Sequence, residues 1–132
     1  MPVQRINPDA LHTTTGYSHV SIVPAGRQVY VAGQVAIAPS GELVGKGDLA
    51  EQAEQVFANL KTALAAGGTD MARVYRIVTY VVDLTPEKMA IVRAVRARHM
   101  GEAPFPSSVM LGVQALAHPD LMIEIEATAA LD

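Results

Sequence analysis

The chain has no cysteine and no tryptophan, and its aromatic residues amount to four Tyr and two Phe in 132 residues. Without a thiol there is no disulfide scaffold, no thiolate nucleophile and no zinc ribbon or finger. Charge of one sign is also missing: 10 Lys and Arg stand against 13 Asp and Glu, a net charge of −3. That balance lacks the basic footprint of a protein that grips phosphate backbones, so no nucleic-acid partner is expected. Long apolar runs are absent as well. The strongest, Ile77 to Val82, is far below the ~20 residues a bilayer span requires, and the opening MPVQRINPDALHTTT lacks the apolar segment of a signal peptide. A cytoplasmic protein without a membrane partner is the expectation.

What the chain does have is core material. Half of its residues are hydrophobic and 17% are charged, which suits one packed domain over residues 1–132. Residues 17–23 and 28–37 are rich in β-branched and aromatic types, and Pro24 to Arg27 between them is turn-like, which predicts a β-hairpin. A short third strand is expected at Glu42 to Val44. From Asp48 the period changes: Leu49, Ala53, Val56, Phe57, Leu60 and Leu64 share one helical face. Asp48 with Glu51 predicts the start of this helix, and Gly67-Gly68 its left-handed stop.

Val74 to Asp83 reads as a strand, and Thr85-Pro86-Glu87 opens a second helix with Met89, Val92 and Val95 apolar and Arg93 and Arg96 on a neighbouring face. Pro104 and Pro106 end it. Ser107 to Val113 and Leu121 to Ala130 are the last strands. The order β-β-(β)-α-β-α-β-β is an α+β mixed sheet with two helices, too few to cover both sheet faces. A homo-oligomer that buries the second face is expected.

Along the last strand Glu124 and Glu126 share one face. This pattern suits a solvated strand face, and it equally suits a general acid or base at an inter-subunit cleft. Tyr17, Ser18 and His19 offer donors at the start of the first strand, and Gly33 inside the second suggests a bulge or a close approach. His12, His19, His99 and His118 follow no metal-ligand spacing, so no metal site is expected. Gly41 to Gly47 has three residues between its first glycines where a phosphate loop needs four, and no GxSxG supports Ser107 or Ser108 as a nucleophile.

Val29-Tyr30-Val31-Ala32-Gly33-Gln34, Gly41 to Val44, Gln55 with Asn59-Leu60-Lys61, Tyr80 to Asp83 and Ile123 to Ala127 together resemble the RidA/YjgF family of reactive-intermediate deaminases, from about Asn7 to Ala129. The resemblance implies a chorismate-mutase-like subunit, a homotrimer with a central barrel, and ligand clefts between subunits. It further implies hydrolysis of imine and enamine intermediates to 2-oxo acids and ammonia, with no metal or cofactor. By position it makes Glu124 and Tyr17 catalytic and places Gly33, Ala32, Ser108 and Met89 against the small-molecule substrate.

Two departures accompany it. Ala32 replaces the usual Ser, and in Pro106-Ser107-Ser108-Val109 Ser108 stands where the family has the arginine that clamps a substrate carboxylate. Serine cannot form that bidentate pair, a contact worth ~1.5 to 3 kcal/mol, so Arg93 or Arg96 would have to take its place for the usual imino acids to bind. A hydrolase acting on a different imine or enamine is therefore the first expectation. A non-catalytic metabolite-binding or sensing trimer is the second, and an endoribonuclease, at odds with the net charge, the third.

Overall fold

A computed structural model describes residues 3–132. Its elements are β1 (Gln4–Ile6), β2 (Val20–Ile22), β3 (Gln28–Gln34), α1 (Leu49–Ala66), a 3-10 turn at Met71–Arg73, β4 (Val74–Val82), α2 (Pro86–Met100), β5 (Ser107–Val113) and β6 (Ile123–Ala130). The main sheet has the order β3-β6-β4-β5, with β4 and β5 parallel and the other pairs antiparallel. The parallel pair is the one joined through α2, as a crossover connection requires.

Both helices begin where the sequence predicts. The Asp48 side chain accepts from the Glu51 N–H, and the Thr85 hydroxyl accepts from Lys88 N–H ahead of Pro86, each cap worth about 1 kcal/mol. The apolar face of α1 is driven into the sheet: Ala53, Val56, Phe57, Leu60 and Leu64 are fully buried. They meet Ile77 and Val81 of β4 and Ile123, Ile125 and Ala127 of β6. Polar side chains of α1 fasten the loops around this core. Gln52 bonds Gly45 O, Asp120 O and Met122 N, and Asn59 Nδ2 donates to Val35 O and Ile37 O at 3.0 Å, which holds the chain just after β3.

The hairpin expected between residues 17–23 and 28–37 does not form. β2 pairs with β1, an element the sequence reading missed, and β3 pairs with β6. The cause is an anchor upstream. Ser18 bridges to Ser107 in parallel, its N–H bonds Pro106 O, and its buried hydroxyl donates to Phe105 O at 2.6 Å. Residue 18 is thereby pinned at the β5 edge, while β3 lies three strand spacings away at the opposite edge, about 14 Å, so Val20 to Arg27 must cross rather than fold back.

The short third strand is reduced to one bridge between Ile37 and Leu43. The left-handed residue after α1 is Gly68 alone, at φ +85°, whereas Gly67 is right-handed at φ −80°. β6 begins at Ile123 rather than Leu121.

Both helices lie on one face of the sheet. The other face presents Tyr30, Thr128, Glu126, Glu124, Arg76, Tyr80, Val109 and Leu111 by strand alternation. Tyr30 is 76% exposed, and Val109 and Leu111 are exposed too. The sheet face left uncovered in the sequence reading is therefore uncovered in the isolated subunit.

Candidate functional site

The sequence-predicted site residues fall into two groups at opposite edges of the sheet. The first surrounds an irregularity in β3. Val31 pairs with Ala127 and Gln34 with Ile125, so Ala32 and Gly33 together stand opposite the single residue Glu126. This is a β-bulge, which bends the strand and re-aims what lies beside it. The re-aimed neighbour is Glu124. A Cβ at Gly33 would lie 2.0 Å from Glu124 Oε2 and 2.8 Å from its carboxyl carbon, so a side chain there would push the carboxylate out of this position. Gly33 is needed for space, since its φ is not in the left-handed region.

The two carboxylates of β6 differ in what they touch. Glu126 accepts the Tyr80 hydroxyl at 2.5 Å, and that bond, followed by burial, raises the Tyr80 phenol above its ordinary value. Glu124 is half-buried and makes no hydrogen bond or ion pair among the described residues. One carboxylate is thus engaged in the fold and the other has its oxygens free beside the exposed backbone of Ala32 and Gly33.

The second group lies along β5. Tyr17 precedes the Ser18–Ser107 bridge, and its hydroxyl is held by His12 Nε2 at 2.8 Å. His19 Nε2 in turn bonds the His12 carbonyl, and the His12 and His19 rings pack edge to face at 4.7 Å. The sequence reading missed His12 as the partner of Tyr17, because five residues of irregular chain carry no period. A cavity of about 480 Å³ opens beside Tyr17, lined by Arg5, Asn7, Thr14, Ser18 and Phe105 among others.

Ser108 is aligned with Ile77 of the core, so it takes the helix-side face of β5, and Ser107 faces the other way. Ser107 Oγ is spoken for by Ser21 Oγ at 2.7 Å, which also donates to Tyr75 O. On α2, Met89 is half-buried, Arg93 exposed and Arg96 buried. Burial, and secondly the neighbouring charge of Arg93, lower the Arg96 pKa from its ordinary value, without removing the proton of a guanidinium.

Within one subunit the structure therefore joins Glu124 with Gly33 and Ala32. It sets Tyr17 and Ser108 at the β5 edge, two strands from β6, and Glu124 and Ser108 project from opposite faces.

Comparison with known proteins agrees with this architecture. Residues 7–131 match the family model described as Endoribonuclease L-PSP. The chain belongs to this family, the RidA/YjgF family. A Rid-family protein of unknown function from Yersinia pestis superposes with a TM-score of 0.92 at 43% identity, over 99% of this chain and 100% of that one. RidA from an Antarctic Psychrobacter superposes with a TM-score of 0.72 at 30% identity, over 96% and 98%. In sequence, a RutC family protein of Pyrococcus horikoshii is 37% identical over 81% of this chain and 82% of its own. The human 2-iminobutanoate/2-iminopropanoate deaminase is 29% identical over 86% and 78%.

Proposed function

We propose that the chain is a cofactor-free hydrolytic deaminase of small imines and enamines, acting at clefts between the subunits of a homotrimer. The observation that carries this reading is the free Glu124 carboxylate beside Gly33, where a side chain has been excluded to admit it. The activity printed for the human relative, an iminobutanoate deaminase, is in keeping with it.

The chemistry needs water, a base and a proton donor. Glu124 accepts a proton from water as its oxygen forms a bond to the imine carbon, and the C=N π pair moves to nitrogen, which is protonated. Tyr17, with its hydroxyl held by His12, is the donor to that nitrogen. The resulting carbinolamine loses ammonia as protonated Glu124 returns its proton to the nitrogen, the C–N bond breaks, and the hydroxyl gives its proton to the Tyr17 phenolate as the oxygen closes to a carbonyl, so that imine plus water gives carbonyl plus ammonia with both side chains restored. Glu124 lies on β6 beside the β3 edge and Tyr17 at the β5 edge, so in this reading the two come together by the β3 side of one copy facing the β5 edge of another. That pairing gives the uncovered sheet face, with Tyr30, Val109 and Leu111, its place against further copies.

Ammonia release from imines generated in situ by an amino-acid oxidase tests the reading. General-base catalysis is worth about 10²- to 10⁴-fold, so Glu124→Gln should remove the activity while leaving the fold intact. Sedimentation giving a monomer would overturn the shared cleft.

A second reading, a cleft that binds a metabolite without turnover, is favoured by Ser108 at the position of the family arginine. It predicts ligand-induced thermal stabilisation with no ammonia released by wild type.

A further inference from the structure

Tyr17 lines the cavity of about 480 Å³, whereas His12, whose Nε2 meets its hydroxyl at 2.8 Å, is exposed and lies outside that lining. The imidazole therefore reaches the phenol and not what the cavity holds. Its place is fixed by the chain around it. His19 Nε2 meets the His12 carbonyl at 2.8 Å, and a carbonyl only accepts, so His19 is the donor there. His19 is tied down in turn: its N–H donates to Asn7 Oδ1 just after β1, and it follows the Ser18 anchor on β5. Its ring packs edge to face on both His12, at 4.7 Å, and Tyr17, at 5.7 Å. The cross-links of an exposed loop thus converge on one phenol oxygen.

The polarity of the His12–Tyr17 bond decides what that phenol can do. A phenol carries one proton. Donated to His12, it is lost to any ligand. With His12 as donor, the phenol proton is free to point into the cavity, and the oxygen keeps a partner when that proton leaves.

We infer that His12 is a positioning residue that primes Tyr17 as a proton donor: its Nε2–H donates to the phenol oxygen, turns the phenol proton toward the ligand and holds the phenolate left behind. The inference rests on the reading above that Tyr17 protonates the imine nitrogen. Tyr17 gives up its proton as the N–H bond forms, His12 keeps its own throughout, and the phenolate recovers a proton from the carbinolamine hydroxyl. A hydrogen bond to an anion is roughly twice as strong as one to a neutral oxygen, so the contact tightens as charge develops on Tyr17 and acts on kcat rather than KM.

Two measurements on the full chain test this. Long-range proton–nitrogen NMR correlation of the imidazoles at about pH 8, where an ordinary imidazole is neutral, reads the tautomer. His12, assigned by its loss in His12→Gln, should carry its proton on Nε2 with Nδ1 bare, and the Nε2 signal should move in Tyr17→Phe. Ammonia release from imines generated in situ reads the role. His12→Ala should lower kcat by about threefold to tenfold, the loss of one hydrogen bond, with KM unchanged. His12→Gln, which keeps an N–H donor, should recover part of it, and His12→Ala added to Tyr17→Phe should cost nothing further.

A His12 proton on Nδ1 with Nε2 bare, an Nε2 signal indifferent to Tyr17→Phe, or an undiminished cost of His12→Ala in the Tyr17→Phe background would overturn the assignment. Failure here separates from failure of the hydrolase reading. Glu124-dependent ammonia release that His12→Ala leaves unchanged sinks only the role of His12. A Tyr17-sensitive Nε2–H with no ammonia released by wild type sinks the hydrolase and leaves the polarity of the bond standing.

Discussion

The two edges of the sheet are built for different work. At the β3 edge the chain is thinned: a bulge, an alanine and a glycine leave backbone exposed and a carboxylate unengaged. At the β5 edge it is thickened, with residues 16–19 laid alongside the strand, a tyrosine held by a histidine, and a buried arginine behind them. The first edge has an unengaged carboxylate beside exposed backbone, whereas the second has a tyrosine, two histidines and a cation. Under the proposed shared cleft, dissociation of the subunits would remove activity together with assembly.

The comparison breaks most sharply at the carboxylates. Glu124→Gln should lower ammonia release by about 10²-fold or more. Glu126→Gln, which disturbs the Tyr80 bond, should leave most of the rate and instead lower Tm slightly, because it replaces a charge-assisted hydrogen bond with a neutral one. Equal losses in both variants would mean that the two carboxylates act as a pair.

Gly33→Ala is the next largest. The added Cβ meets Glu124 Oε2, so the carboxylate must swing away, and the rate should fall by about tenfold or more with Tm little changed. Retention of full activity would show that the closeness of Gly33 and Glu124 is incidental. At the other edge, His12→Ala frees the Tyr17 hydroxyl and should cost a smaller factor, about threefold to tenfold, read as kcat at constant Tm.

The helices, the last three strands and the paired carboxylates were legible because each depends on a local signal: a 3.6-residue period, a cap, or a two-residue alternation. The hairpin was misread because its local signals are real and a distant contact overrides them. The anchor at Ser18 is a backbone bond to a residue nearly ninety positions away. Gly33 was singled out correctly as a place of close approach, yet which side chain approaches depends on the β3–β6 register. The difference between Glu124 and Glu126 depends on Tyr80, which no spacing connects to either. Arg96 read as one of two arginines on a helix face, and only the packing of α2 shows that one is buried and the other is not.

Acid distinguishes the two edges through the contacts that tie them down. At the β3 edge Arg27 holds the Asp132 carboxylate after β6, with an Oδ1 contact of 2.6 Å, and its hydrogen bonds lower that carboxyl from 3.8 to about 2. At the β5 edge Glu54 of α1 receives Arg98 and His99 of α2, and these bonds, that from Arg98 first, lower it below 4.5. Both folded values lie below the unfolded ones, so as pH falls the unfolded chain takes up protons first. Each contact therefore contributes its full stability above the ordinary value and loses it as pH descends through the folded value. Tm should decline from near pH 4.5 downward, and Glu54→Gln should remove the upper part of that decline, Asp132→Asn the part from 3.8 to about 2. Both pairs are exposed, so each effect is small and shrinks with added salt.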